Sequence, residues 1–147
     1  MHVKITRQES GFTLIELLVV LVVIAILAAL VAPNILQHVG TAKNAATRSQ
    51  IEMFGGALDA YRLDNGRYPT SEQGLGALWN APNSEPRATN WRGPYLRKDV
   101  PLDPWGRVYG YRSPAQQSRI GYDLWSLGAD GQEGGTGENA DITNWGK

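Results

Sequence analysis

An apolar run of 21 residues, from Phe12 to Ala32, constrains this chain most, because its only strongly polar members are Thr13 and Glu16. As a helix rising about 1.5 Å per residue it would be roughly 31 Å long, close to the thickness of a bilayer's hydrocarbon core. Two bases, Lys4 and Arg7, and one acid, Glu9, precede the run. This excess of positive charge predicts, by the positive-inside rule, that the N-terminus lies in the cytoplasm. The pattern predicts one membrane-spanning helix.

Two ordinary explanations of this run are a secretory signal peptide and a plain signal anchor. The apolar region of a signal peptide is normally about 7–15 residues long and ends in an Ala-x-Ala-like site. This run is longer, lacks that triplet near its end and is followed by Pro33. A plain anchor leaves Glu16 unexplained, because an ionisable group at membrane depth is costly and needs a cationic partner. Ser10-Gly11, just before the run, offers a small and flexible peptide bond to a membrane-associated protease.

The residues around that bond carry a family signature. Gly11-Phe12-Thr13-Leu14-Ile15-Glu16-Leu17, followed by the apolar run and Pro33, resembles the prepilin signature shared by type IV pilins and type II secretion pseudopilins. In that family a prepilin peptidase cuts after the Gly, the new N-terminal Phe is N-methylated, and the helix is retained. The resemblance therefore implies cleavage after Gly11 and methylation of Phe12. It also implies that Glu16 pairs with the Phe12 amine of a neighbouring subunit in a filament.

The chain beyond residue 32 predicts a second, amphipathic part of the same helix. Pro33 lacks an N–H and predicts a kink near Ala32 that need not end the helix. Apolar residues then recur at steps of three and four, namely at Ile51, Phe54, Leu58 and Tyr61. Asp64-Asn65-Gly66 is a stop signal. This stripe is expected to form the core of a small soluble domain rather than a partner surface.

The remaining chain predicts a short helix and a small sheet. Thr70-x-x-Gln73 is a capping-box pattern that predicts a short helix ending near Asn80. Alternating aromatic and branched residues predict an antiparallel pair of strands at 108–111 and 122–126. The fold class is therefore α+β: a long N-terminal helix, membrane-spanning in its first half and amphipathic in its second, packed on a small antiparallel sheet.

Two longer motifs narrow the resemblance. Asp64-Asn65-Gly66-x-Tyr68-Pro69-Thr70-x-x-Gln73-Gly74-Leu75 and Asp103-Pro104-Trp105-Gly106-x-x-Tyr109-x-Tyr111 are similar to motifs of the major pseudopilins of type II secretion systems. Adhesion pilins usually carry a C-terminal disulfide loop, and this chain has no Cys. The resemblance implies a homopolymer that forms a periplasmic pseudopilus. Its implied partners are a prepilin peptidase, minor pseudopilins, an inner-membrane assembly platform and, before assembly, the membrane itself.

This resemblance also sets the expected topology and domain boundaries. The subunit is expected to cross the bacterial inner membrane once, with its N-terminus cytoplasmic and its C-terminal part periplasmic. The expected segments are a leader peptide at 1–11, a transmembrane and assembly helix at 12–36, an amphipathic extension at 37–66 and a periplasmic globular part at 67–147. Two other functions stay open: a subunit of an adhesion or DNA-uptake filament, and a membrane-tethered calcium-binding module.

The C-terminal segment 127–141, which we call the acidic loop, combines carboxylates with glycines. Calcium binds six to eight oxygens from carboxylates, amides and backbone carbonyls, and such a loop can supply them. The spacing is not that of an EF-hand, and from the spacing alone such a loop is more often merely solvated. The resemblance, however, implies one calcium bound by the Leu127 carbonyl and the side chains of Asp130, Asn139 and Asp141. Asn139 supplies an oxygen without a charge, and Glu138 is an alternative ligand.

Charge and motif content disfavour the other function classes. Lys+Arg and Asp+Glu are 14 each, so no global basic field attracts nucleic acid. No P-loop, GxGxxG, HExxH or GxSxG pattern occurs, and we expect no enzyme. The charges are nevertheless segregated: seven bases against two acids lie between Arg87 and Arg119, and five acids against one base between Asp123 and Lys147. Such asymmetry is expected either to orient subunits head to tail or simply to solvate the surface.

Overall fold

The structure is a computed structural model that describes residues 11–146, apart from the side chains of residues 31–37. The predicted leader therefore lies outside the described residues except for Gly11, and so does the side chain of Pro33. The chain divides into two compact units between His38 and Val39, and each is described by itself.

The first unit is the N-terminal part of helix α1, which runs from Leu14 to Asn65 over 52 residues. The helix continues through residue 33, as predicted. Every large hydrophobic side chain from Leu14 to Leu30 is at least 49% exposed, so this unit buries none of them within one chain. Among the residues that the structure describes, no helix is both long enough and apolar enough to cross a membrane.

The second unit has the predicted helix-on-sheet core. Strand β1 is Gly110–Arg112, β2 is Asp123–Ser126 and β3 is Ile142–Thr143, and they form one antiparallel sheet in the order β1-β2-β3. The α1 stripe is fully buried, as predicted: Ile51, Phe54, Leu58 and Tyr61 are at most 5% exposed. Phe54 packs edge-on against Tyr109, with ring centroids 5.1 Å apart. The α+β assignment is confirmed.

The predicted end of α1 is confirmed, whereas the strands predicted at 108–111 and 122–126 are observed as Gly110–Arg112 and Asp123–Ser126. α1 ends at Asn65, and Gly66 adopts a φ of 74°, which a residue with a side chain rarely does. The capping box forms, because the Thr70 N–H donates to Gln73 Oε1 at 3.0 Å and the Gln73 N–H donates to Thr70 Oγ1 at 3.2 Å. The helix that it was expected to start is only a 3₁₀ turn, Leu75–Leu78. The third strand was not predicted.

The two adjacent glycines in α1 differ in what surrounds them. A Cβ added at Gly55 would lie 3.1 Å from the hydroxyl oxygen of Tyr122, whereas one added at Gly56 would meet nothing within 4 Å. Gly56→Ala is therefore expected to raise the free energy of unfolding by about 0.5–1 kcal/mol, because it lowers the backbone entropy of the unfolded chain and causes no clash in the folded one. Gly55→Ala is expected to give no gain or a loss of up to about 1 kcal/mol. Urea denaturation of a fragment of residues 39–147 measures both, and equal gains would contradict the packing at Gly55.

Candidate functional site

The acidic loop begins and ends on paired strands. Ser126 of β2 pairs with Ile142 of β3, so the next residues outward, Leu127 and Asp141, continue from directly opposed positions. Both line one cleft of about 360 Å³, together with Glu133. The strand pairing therefore brings together two of the four predicted ligands, which are 14 positions apart in the sequence.

Asp141 has one carboxylate oxygen without a partner in the part of the chain that the structure describes. Its Oδ2 accepts a hydrogen bond from the Gly134 N–H at 2.9 Å, and its own N–H donates to the Gly134 carbonyl at 3.2 Å. Its Oδ1 is buried and accepts no hydrogen bond from the described residues. A buried, unsatisfied carboxylate oxygen is costly, and a cation would satisfy it. This atom fits the predicted calcium.

The other predicted ligands present oxygens of the right kind. The Leu127 carbonyl accepts the Gly131 N–H at 3.2 Å and keeps a second lone pair. Asp130 is exposed, and its Oδ1 accepts the Gln132 N–H at 3.0 Å. Asn139 is also exposed, and its side-chain amide makes no hydrogen bond with the described residues. No three His, Cys, Asp or Glu side chains converge on a metal site in residues 11–146, and the predicted set itself contains only two carboxylates.

Glu138, the alternative ligand, is held against α1. Its Oε1 accepts the Trp105 indole N–H at 3.2 Å and lies 3.8 Å from Lys43 Nζ. A Cβ added at Gly40 would lie 3.0 Å from its Oε2. The carboxylate therefore joins the loop to the helix and is already paired there, whereas the Asn139 side-chain oxygen has no partner among the described residues.

The Asp-Pro-Trp-Gly motif supports the loop from the other side. Asp103 is buried, and its Oδ1 accepts the N–H groups of Trp105 at 3.1 Å and Arg107 at 2.8 Å, while Oδ2 accepts the Ser126 hydroxyl at 2.7 Å. This turn directs the Arg107 guanidinium to the carbonyls of Gly128 and Ala129, at 2.7 and 2.9 Å. Arg107 therefore fixes the loop backbone next to the predicted ligands. The motif is present in the sequence, but this role for it was not predicted.

The loop backbone itself is tightly folded. Gly135 has a φ of 80°, and a Cβ there would lie 2.5 Å from the Asn139 carbonyl oxygen. The Ala129 N–H donates to the Glu138 carbonyl at 3.0 Å, which ties the two halves of the loop together. These contacts hold the carbonyls of Glu138 and Asn139 close to the other half of the loop.

A second buried carboxylate, Asp123, has a structural role. It accepts hydrogen bonds from the N–H groups of Gln116, Gln117 and Ser118 and from the Arg112 guanidinium, at distances of 2.6–3.1 Å. Burial alone would raise the pKa of Asp123, but these backbone and guanidinium hydrogen bonds lower it to about 2. Buried Asp123 and partly exposed Arg112 therefore neutralise each other, and the pair adds no net charge to the surface charge asymmetry.

At the start of α1, Thr13 and Glu16 form a reciprocal cap. Glu16 Oε2 accepts both the Thr13 N–H and the Thr13 hydroxyl at 2.9 Å, and the Glu16 N–H donates to Thr13 Oγ1 at 3.3 Å. Phe12, just before this cap, is 85% exposed. The Thr-x-x-Glu pattern is a capping box that is legible in the sequence and was not predicted.

Comparison with known proteins assigns these features to a family. The family model described as type II secretion system protein G matches residues 34–145, and the prokaryotic N-terminal methylation motif matches residues 6–32. The chain belongs to the type II secretion system protein G family. The predicted resemblance to the major pseudopilins is confirmed.

Individual relatives of the protein G family match nearly the whole chain. The type II secretion system core protein G of Pseudomonas aeruginosa is 47% identical over 95% of this chain and 96% of its own length. The type II secretion system core protein G of Vibrio cholerae is 48% identical over 95% of this chain and 93% of its own length. The crystal structure of the major pseudopilin from the type 2 secretion system of enterohaemorrhagic Escherichia coli is 39% identical, with a TM-score of 0.64 over 77% of this chain and 95% of that one.

Proposed function

We propose that this chain is the structural subunit that polymerises into the periplasmic pseudopilus of a type II secretion system, after cleavage between Gly11 and Phe12 and N-methylation of Phe12. The observation that carries the proposal is the unburied apolar face of α1, whose side chains from Leu14 to Leu30 are exposed in the single chain. Such a surface requires lipid or other apolar helices around it. The N-terminal methylation motif covers the same residues and supports packing against other apolar helices in the mature protein.

The location follows from the same segment. Before assembly, residues 12–32 cross the inner membrane once, with the leader in the cytoplasm and the second unit in the periplasm. The length of the apolar run and the two bases before it support this orientation. A prepilin peptidase acts at Gly11, and minor pseudopilins and an inner-membrane assembly platform are the further partners. The second unit presents a folded domain and the chain acts as a building block, not an enzyme.

The intact mass and N-terminal sequence of the membrane-extracted protein test this function. We expect a chain that begins at methylated Phe12 when a prepilin peptidase is produced in the same cells, and an uncut chain when it is absent. Gly11→Leu is the matched variant, because it alters only the residue before the cut, and it is expected to remain uncut in both cases. An uncut wild-type chain in both cells, or one cut beyond Ala32, would contradict the pseudopilin function.

We also propose that the acidic loop binds one calcium ion through the Leu127 carbonyl and the side chains of Asp130, Asn139 and Asp141. The buried Oδ1 of Asp141, which has no hydrogen-bond partner among the described residues, supports this most directly. Bound calcium supplies positive charge to a loop that contains four carboxylates and no base. Its effect is to hold the loop folded, with no chemical step involved.

Calcium removal is expected to destabilise the second unit. A ligand present at 100 times its dissociation constant stabilises the folded state by about 3 kcal/mol, so a chelator is expected to lower the Tm of residues 39–147 by about 10 °C. Differential scanning calorimetry with and without calcium measures this shift.

Two variants assign the ligands in that experiment. Asp141→Asn is expected to abolish the increase in Tm that calcium produces. Glu138→Gln is expected to keep it, because the Glu138 carboxylate already contacts Trp105 and Lys43. A calcium response lost in Glu138→Gln and kept in Asp141→Asn would refute the proposed ligand set.

A further inference from the structure

A wide cleft in the second unit has an excess of positive charge. It has a volume of about 850 Å³, and its charged lining consists of Arg62, Arg67, Arg119 and Asp59. Its one carboxylate is already engaged, because the Tyr68 hydroxyl donates to Asp59 Oδ1 at 2.8 Å. We call this surface the arginine cleft. Its charge suits a carboxylate-bearing partner.

The guanidinium groups of the cleft have hydrogen-bonding capacity to spare. Arg67 donates from Nη2 to two backbone carbonyls, while its buried Nε has no acceptor among the described residues. Arg119 is exposed and forms no ion pair within residues 11–146. Among the described residues, the Arg62 guanidinium donates only to the Tyr68 hydroxyl, at 3.3 Å. Guanidinium groups bind carboxylates by paired, charge-assisted hydrogen bonds, so these donors favour an acidic side chain over a neutral one.

The acidic loop is the complementary surface of the same chain. Among its carboxylates, Glu138 contacts Lys43, while Asp130 and Asp141 are proposed calcium ligands. Glu133 is exposed and makes no hydrogen bond or ion pair with the described residues. Glu133 lines the same cleft as Leu127 and Asp141 but is not one of the proposed calcium ligands, so its carboxylate is available to a cation from another molecule.

The cleft and the loop are attached at different levels of α1. Asn44 Nδ2 donates to the Gly137 carbonyl at 2.9 Å, which fastens the loop near residue 44. The cleft is built on Asp59 and Arg62, 15 to 18 residues further along. At 1.5 Å per residue this separation is about 25 Å along the helix. A parallel copy displaced along α1 by this distance has its loop at the level of its neighbour's cleft.

We propose that the arginine cleft binds the acidic loop of the next copy in the filament, with Glu133 facing Arg119. This inference rests on the proposed function, because it requires a polymer of parallel subunits. The two surfaces are different, so the contact is heterologous, and repetition of such a contact builds an open helical filament rather than a closed dimer. The charge pairing fixes the order and register of the subunits more than it supplies affinity.

Cysteine cross-linking in the full-length chain tests the contact, because the natural sequence contains no Cys. Cysteines are placed at Arg119 and at Gln132, which is exposed in the loop beside Glu133. Mild oxidation of assembled filaments from the Arg119→Cys/Gln132→Cys chain is expected to give a ladder of multimers. Co-production of the two single variants is expected to give dimers only. Arg119→Cys with Glu52→Cys, an exposed position on α1, is the control and is expected to give no ladder.

Charge reversal gives a second readout in the same cells. Arg119→Glu and Glu133→Arg are each expected to lower the yield of sheared filaments about tenfold, because like charges then face each other across the contact. The combined Arg119→Glu/Glu133→Arg chain is expected to recover at least half of the wild-type yield. Filaments without the ladder, or a combined chain no better than its parents, would overturn the contact while leaving the pseudopilus function intact. A ladder in membranes without any filaments would support the contact and count against that function.

Discussion

Asp123→Asn is expected to lower the free energy of unfolding of residues 39–147 by about 3 kcal/mol. The carboxylate is fully buried and satisfies three backbone N–H groups and the Arg112 guanidinium. The Asn amide keeps only one acceptor oxygen. In place of the second oxygen it has an NH₂ group, which faces N–H donors and cannot accept from them. Urea denaturation followed by circular dichroism at pH 7 measures the loss.

Two matched variants separate this effect from a general loss of charge. Glu52→Gln removes an exposed carboxylate from α1 and is expected to change stability by no more than about 0.5 kcal/mol. Arg112→Ala is expected to cost less than Asp123→Asn, since the Arg112 side chain is 33% exposed and Asp123 keeps its three backbone donors. An Asp123→Asn chain as stable as the wild type would show that these hydrogen bonds contribute nothing net.

The same carboxylate predicts a pH dependence. Its pKa is about 2 in the folded chain against an ordinary 3.8, so the folded state binds the proton more weakly than the unfolded state. The stability from this group is complete above about pH 5 and is lost as the pH falls through about 2, a change of about 2 kcal/mol. The free energy of unfolding of the wild type, measured by urea denaturation, should fall accordingly between pH 6 and 2. That of Asp123→Asn should fall by about 2 kcal/mol less.

The parts of the fold that follow from local signals were predictable. The end of α1 at Asn65 and the buried stripe of Ile51, Phe54, Leu58 and Tyr61 were predicted, because a stop sequence and a helical period are properties of neighbouring residues. β3 consists of only two residues and is too short to show a period. It is defined by its pairing with β2, which a single sequence does not reveal.

For the candidate calcium site, the sequence predicted the oxygen ligands but not the residues that hold the loop in place. The resemblance named four ligands, but the support of the loop by Arg107 and the turn at Asp103 depends on contacts across about 20 residues. Asp123 was counted with the acidic tail because its partners lie on a different segment. It is buried at the start of β2, and its ion pair with the partly exposed Arg112 adds no net charge to the surface. The head-to-tail interpretation therefore depends on fewer charges than the sequence counts indicate.

Glu16→Ala is expected to lower filament yield at least about 100-fold while leaving membrane insertion unchanged. In the proposed filament, the Glu16 carboxylate pairs with the Phe12 amine of a neighbouring subunit, and removal of one partner leaves a charge unpaired among apolar helices, a cost of several kcal/mol. Immunoblotting of sheared filaments and of the membrane fraction measures the two quantities. In the single chain, however, Glu16 also caps α1 through Thr13, and Ala removes both interactions.

Two further variants separate the cap from the charge. Glu16→Gln keeps an oxygen for the Thr13 N–H, since Gln also serves in capping boxes, but it has no charge for a neighbouring amine. Thr13→Ala weakens the cap by about 1 kcal/mol and keeps the carboxylate. If charge pairing drives assembly, Glu16→Gln should fail as Glu16→Ala does, and Thr13→Ala should form filaments. Normal filaments from Glu16→Gln would instead assign Glu16 to the start of its own helix, and the subunit register would then have to come from contacts in the second unit.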